Sequence, residues 1–138
     1  VHFFASGHVA PHLPEKDPDI HLLSDQAFLE KIKEYDGIPS LILENPEILN
    51  FFLPMLRADI ELIKTHRIPE DEPFACPLTA FGGRGDPKVN EEEIKAWQKH
   101  TCAAFKWHMF NGGHFFIQEH LKELSALIAA DLQPYSRN

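Results

Sequence analysis

The sequence predicts an α/β fold in which parallel strands are flanked by helices. In the second half of the chain, apolar runs of strand length alternate with amphipathic helical patterns, as is typical of parallel sheets. Two of these runs end in glycine pairs, Gly82-Gly83 and Gly112-Gly113, and a reactive side chain follows each pair. These side chains are Asp86 and His114. Because the carboxyl ends of parallel strands meet at one edge of a sheet, we expect them to lie together there.

The composition indicates an ordinary globular protein and argues against several classes of function. The 138 residues are 43% hydrophobic and 25% charged. A net charge of −8, without a lysine and arginine stripe, argues against nucleic acid as a partner. We expect a cytoplasmic protein with no membrane contact, because the sequence has no signal-peptide pattern and no apolar run of about 18 residues. Cys76 and Cys102 have apolar neighbours and are expected to be buried free thiols.

The first half of the chain predicts one strand and a block of helices. Residues 1–6 form a short apolar run, and the stretch 8–23 has a loop composition. Ser24 can cap a helix, and Asn45-Pro46-Glu47 begins another. Pro54 lacks a backbone donor, which predicts a break or kink before a further helical stretch. The apolar stripe of the first helix is Phe28, Ile32 and Tyr35.

The second half follows a strand, helix, strand, helix order after an acidic linker. The stretches 76–81 and 105–110 read as strands, and Asn90 to Glu93 resembles a capping box that opens the intervening helix. Ile94 and Trp97 occupy the inner face of that helix. The apolar stripe of the final helix is Ile117, Leu121, Leu124 and Ile128.

We therefore predict a single domain over residues 1–138, interrupted by an insertion. Residues 8–67 form the insertion, whose helices are placed where they can cover the reactive sheet edge. Residues 68–138 form the βαβα segment that carries Asp86 and His114.

An acid and a histidine at neighbouring strand ends are two members of a nucleophile, base and orienter arrangement. The histidine takes the proton of a serine or cysteine, and the carboxylate fixes the imidazole tautomer. In α/β enzymes of this kind the nucleophile precedes the acid on a Gly-x-Ser-x-Gly turn. The chain contains no such turn: the nearest candidate, Ser6, has Phe4 and His8 where the glycines would stand.

A metal site is the weaker interpretation of the histidines. His108, His114 and His120 recur at spacings of six, which on a helix places neighbours on opposite faces, and His108 falls in a strand. We expect no bound metal.

Several stretches carry a resemblance to a known family. They are Ser6-Gly7, Leu53-Pro54-Met55-Leu56-Arg57-Ala58-Asp59, Cys76-Pro77-Leu78, Gly82-Gly83 with Asp86, and Gly112-Gly113-His114-Phe115-Phe116. In this order the chain resembles the type II thioesterases, the editing enzymes of non-ribosomal peptide and polyketide synthases. The resemblance implies the C-terminal part of an α/β-hydrolase fold with a helical lid. It also implies that Asp86 is the triad acid and His114 the general base.

The resemblance further implies a substrate, a partner and a departure from the family pattern. Such enzymes hydrolyse acyl groups from the phosphopantetheine arm of an acyl or peptidyl carrier protein, so phosphopantetheine enters with the substrate and no cofactor is needed. The serine elbow and the oxyanion hole are absent, so we expect the chain to need the missing N-terminal half of the fold and to be inactive alone.

Three residues are candidates for substrate binding. Phe52 and Phe115 can line an acyl channel, although core packing is equally compatible with each. Arg57 can contact substrate or hold the lid. Two other functions stay open: a non-catalytic module that binds a carrier protein or partner chain, and an α/β-hydrolase that acts on a general ester.

Overall fold

The computed structural model describes residues 1–14, 16–17, 19–34, 38–66 and 72–135. It divides into two compact units. One, here called the sheet unit, comprises Val1–Leu13 and Asp71–Asn138, and the other, the helical unit, comprises Pro14–Glu70. None of the helices in the described ranges is long and apolar enough to cross a membrane.

The sheet unit contains three parallel strands: β1 (Phe3–Ser6), β2 (Leu78–Gly83) and β3 (Phe105–Phe110). Their order in the sheet is β1-β2-β3, with Phe3 opposite Leu78 and Leu78 opposite Phe105. The predicted parallel α/β architecture is therefore confirmed. Within the described residues, β1 pairs with β2 only, so its other side is an edge.

Helices cover the sheet through separate apolar clusters. Helix α4 (Glu91–Lys95) begins with the predicted capping box of Asn90 and Glu93 and continues as a 3₁₀ helix, Ala96–His100. Helix α5 (Ile117–Leu132) contributes Leu124 to the second of two apolar clusters. The first cluster consists of the buried residues Ala5, Val9, Ala10, Leu78, Ala80, Val89, Ile94 and Trp97. The second consists of Phe81, Phe110, Phe116 and Leu124.

A buried polar cluster joins the strands to α5. The Thr79 hydroxyl donates to Asp131 Oδ2 at 2.7 Å, and His2 Nε2 lies 2.9 Å from the same hydroxyl. Lys106 Nζ pairs with the other carboxylate oxygen of Asp131. The side chains of His2 and Asp131 are only 5% and 6% exposed. Protein groups rather than water therefore compensate the buried carboxylate of Asp131.

The helical unit contains α1 (Asp25–Lys33), α2 (Ser40–Leu43) and α3 (Pro46–Thr65). Ser24 caps α1 by accepting from the Ala27 amide at 3.4 Å. The core of the helical unit is the cluster of Ile20, Phe28, Ile32 and Leu53. Tyr35, predicted to extend the α1 stripe, lies outside the described residues.

The break predicted at Pro54 is wrong, because α3 runs through it as one helix of 20 residues. Leu53 on one side of Pro54 and Leu56 and Ile60 on the other pack into the same cluster. Apolar burial on both sides outweighs the backbone hydrogen bond that the proline cannot make.

Two predictions of burial are also wrong. Cys102 is exposed and Cys76 only half-buried, because Cys102 lies outside the strands, where its amide bonds the Phe74 carbonyl at 3.0 Å. Leu121 is 61% exposed and Ile117 36%, whereas Leu124 is buried. The backbone of α5 leaves helical geometry at His120 (φ −112°, ψ 21°), so Ile117, before that point, does not continue the stripe of Leu124.

Candidate active site

Two strand-end corners are held against each other by backbone contacts. After β2, the amides of Arg84 and Gly85 donate to the carbonyls of Phe110 and Gly112 at 2.8 and 2.9 Å. A Cβ atom on Gly83 would lie 2.8 Å from the Gly112 carbonyl oxygen and closer still to that of Gly113. Only glycine lets the two corners approach this closely.

This approach brings Asp86 and His114 together, as the strand order predicts. Asp86 Oδ2 lies 2.9 Å from His114 Nδ1, and Asp86 Oδ1 accepts the Lys88 amide at 2.8 Å. The Asp86 side chain is fully buried, whereas that of His114 is 22% exposed. Both carboxylate oxygens therefore have partners, while the histidine stays accessible.

The electrostatics favour an ionised acid. Burial raises the pKa of Asp86, but the hydrogen bonds from His114 and from the Lys88 amide outweigh it and place this pKa below its ordinary value. A carboxylate only accepts, so His114 Nδ1 must carry the shared hydrogen. In the neutral ring the lone pair then lies on Nε2, the atom from which a general base works.

A third strand end, which was not predicted from the sequence, reaches the same histidine. Gly7 follows β1 with φ +62°, and a Cβ there would lie 3.6 Å from His114 Cε1. The Gly7 amide donates to the Phe81 carbonyl at 3.0 Å. The available signal was that Ser6-Gly7 ends a strand parallel to the other two, at the same sheet edge.

The predicted substrate-binding residues are divided between the two units. In the sheet unit, the Phe115 ring meets that of His114 edge-on at 5.1 Å and is 42% exposed. In the helical unit, Phe52 is 37% exposed and packs edge-on against Phe51. Phe116, next to Phe115 in sequence, is buried in the core.

Arg57 makes its contacts within the helical unit. Its guanidinium pairs with Asp25 at 2.7 Å, donates to the Leu23 and His21 carbonyls, and lies 4.4 Å above the Phe28 ring. These contacts tie α3 to α1 and the turn before it, which supports the structural alternative for Arg57.

His108 and His120, six residues before and after His114 in the sequence, contact different residues from those around His114. His108 stacks against Phe81, and His120 Nε2 lies 2.9 Å from the Asn111 carbonyl. Across the described residues, no group of three or more histidine, cysteine or acidic side chains could hold a metal ion.

Comparison with known proteins identifies the family. The thioesterase domain family matches residues 1–132. The chain is 44% identical over 137 residues to the linear gramicidin dehydrogenase LgrE of Brevibacillus parabrevis, covering 97% of this chain and 52% of that protein.

Two solved structures share the fold. The RedJ thioesterase of the prodiginine pathway in Streptomyces coelicolor is 32% identical with a TM-score of 0.86, covering 95% of this chain and 52% of that one. The type II thioesterase BorB of the borrelidin cluster is 29% identical with a TM-score of 0.78, covering 96% and 50%. The chain thus spans about half the length of these relatives, and the predicted resemblance to type II thioesterases is confirmed. The chain belongs to the thioesterase domain family.

Proposed function

We propose that this chain supplies the acid and base of a serine thioesterase that removes acyl groups from the phosphopantetheine arm of acyl or peptidyl carrier proteins. The observation that carries the proposal is the 2.9 Å contact between Asp86 Oδ2 and His114 Nδ1 at the sheet edge. The family match and the similarity to the thioesterases RedJ and BorB support the reaction class. The nucleophile belongs to the part of the relatives' length that this chain does not span.

In the proposed reaction His114 moves the protons. Its Nε2 takes the serine hydroxyl proton as the serine oxygen attacks the thioester carbonyl. The C–S bond then breaks, and His114 gives that proton to the departing pantetheine thiolate, which leaves as the thiol. A water molecule, deprotonated by the same nitrogen, attacks the acyl-serine; the C–O bond to the serine breaks, His114 returns the proton to the serine oxygen, and the free acid leaves. Asp86 holds the ring orientation and stabilises the imidazolium in both halves.

The substrate itself brings the pantetheine arm, so the reaction needs no resident cofactor. We take Phe115 as the residue that contacts the acyl chain beside the base, and its exposed ring, edge-on to that of His114, supports this assignment. Phe52 and Arg57 remain candidates for substrate contact from the helical unit. We place the protein in the cytoplasm, and its free cysteines are consistent with a reducing compartment.

The test is hydrolysis of an acyl-pantetheine thioester by a form of the protein extended to the full length of its relatives. His114→Ala should lower kcat by about 10⁶-fold, as removal of the triad histidine does elsewhere. His108→Ala is the matched control, because that histidine stacks on Phe81 away from Asp86, and it should retain activity.

The 138-residue chain alone should give no turnover. Hydrolysis by it that His114→Ala abolishes would contradict the proposed division of the catalytic residues. An unchanged rate for His114→Ala in the extended protein would remove this histidine from the site.

A further inference from the structure

The segment that follows β1, residues 7–12, is hydrogen-bonded to side chains of the 3₁₀ helix Ala96–His100. We infer that the 3₁₀ helix Ala96–His100 clamps residues 7–12, and that Trp97 and His100 are positioning residues for His114. This inference rests on the proposed role of His114 as the base. It concerns how the third strand end holds the imidazole, which the Asp86 contact alone does not explain.

Trp97 makes the first contact of the clamp. Its indole Nε1 donates to the His8 carbonyl at 2.8 Å, and the side chain is buried with Ala5, Val9 and Ala10. The bond is thus fixed from both ends: the ring cannot move without disturbing the apolar cluster, and the carbonyl belongs to the residue directly after Gly7.

His100 makes the second contact. His12 Nδ1 and His100 Nε2 lie 2.8 Å apart, so one ring donates a hydrogen to the other. The His100 ring also packs against Trp97, with centroids 5.6 Å apart. The two side chains of the 3₁₀ helix therefore hold the segment at His8 and again at His12.

Between β1 and these contacts, Gly7 has little freedom. Its amide is bonded to Phe81, and its backbone lies beside the Cε1 and Nδ1 edge of the His114 ring. A Cβ built on Gly7 would lie 3.6 Å from His114 Cε1 and 3.9 Å from Nδ1, so the position of Gly7 sets the room available beside that edge of the ring. A clamped Gly7 consequently restricts the imidazole to orientations that keep Nδ1 on the acid, which is the preorganisation a general base requires.

The test compares two tryptophans in protein labelled with ¹³C and ¹⁵N at histidine. Trp97→Phe keeps an aromatic ring but removes the hydrogen bond to His8. Trp107→Phe is the matched control, because it also loses an indole hydrogen bond, to Glu91, at a half-exposed site. We expect Trp97→Phe to shift the His114 Cε1–H resonance and Trp107→Phe to leave it unchanged.

His100→Gln provides a second variant at a less buried position, should Trp97→Phe fail to fold. It should move the same resonance in the same direction. If His114 signals in a folded Trp97→Phe or His100→Gln protein match those of Trp107→Phe, the clamp has no influence on the base and the inference is wrong. This readout needs no turnover, so failure of the clamp is distinct from failure of the proposed function, which the His114→Ala assay decides.

Discussion

Among its described residues, the sheet unit has two aspartates whose side chains are buried beside a histidine, and they lie at opposite ends of the strands. Asp86 follows β2 at the carboxyl ends, whereas Asp131 meets His2 and Lys106 toward the amino ends. Around Asp131 the partners are a lysine, a threonine hydroxyl and a histidine that is 5% exposed. Around Asp86 they are the backbone amides of Lys88 and Val89 and a histidine that is 22% exposed.

The difference shows why proximity of acid and histidine is insufficient evidence for a catalytic pair. His2 directs Nε2 inward to Thr79 and Asp131, so the nitrogen facing the acid is the one a base would need. His114 directs Nδ1 to Asp86, so the base role proposed above falls to Nε2. The proposed acid and base lie at the carboxyl ends of the strands, whereas the contacts with Asp131 of α5 lie toward the amino ends.

The same substitution at the two aspartates should separate these roles. In the extended protein, Asp86→Asn should lower kcat by about 10⁴-fold, because an amide can favour the wrong imidazole tautomer. Asp131→Asn should leave kcat within a few-fold, because it contacts no catalytic group. Thioester hydrolysis measures both, with circular dichroism to establish folding. Equal losses at the two sites would break the distinction.

The close approach of the corners predicts a large contrast between two glycines. Gly83→Ala should destabilise the protein by about 1 to 3 kcal/mol, because its Cβ would press on the Gly112 and Gly113 carbonyls. Gly113→Ala is the control, because a Cβ there has nothing within 4 Å. Urea denaturation gives both free energies of unfolding. A neutral Gly83→Ala would mean that the corners are not in backbone contact.

The smallest expected effect is the response of the Asp131 cluster to acid. Burial raises the pKa of Asp131, but hydrogen bonds from Lys106 and Thr79 and the charges of Lys106 and His2 leave it below the ordinary value. At a pH between the folded and the unfolded pKa of Asp131, the unfolded chain therefore binds more protons than the folded protein. The stabilisation is present above about pH 4 and is lost as pH falls through the lower, folded pKa.

Asp131→Asn should accordingly flatten the decline of stability below about pH 4. Thermal melts between pH 3 and pH 7 measure this, with Glu123→Gln as an exposed control on the same helix. If the control flattens the curve equally, the acid response does not arise from the buried cluster.

The parts that the sequence predicted are those with local signals. The glycine pairs and the residues after them identified Asp86 and His114, because parallel strand ends converge whatever the intervening chain does. Asn90 and Glu93, three residues apart, predicted the start of α4 because they form a capping box. Pro54 misled because its local effect is outweighed by packing from distant residues. The contacts of Gly7, and the cluster of His2 with Asp131, join residues far apart in the chain, and no local pattern encodes them.

The backbone contact between the two glycine corners has a consequence for design. Because Gly83 and the Gly112-Gly113 carbonyls touch, neither the acid nor the base can be relocated alone without rebuilding the other's loop. Transplanting this acid and base pair into another parallel sheet would require both corners, with their glycines, as one unit. By the same reasoning, the protein should tolerate insertions in other connecting loops far better than insertions within either glycine corner.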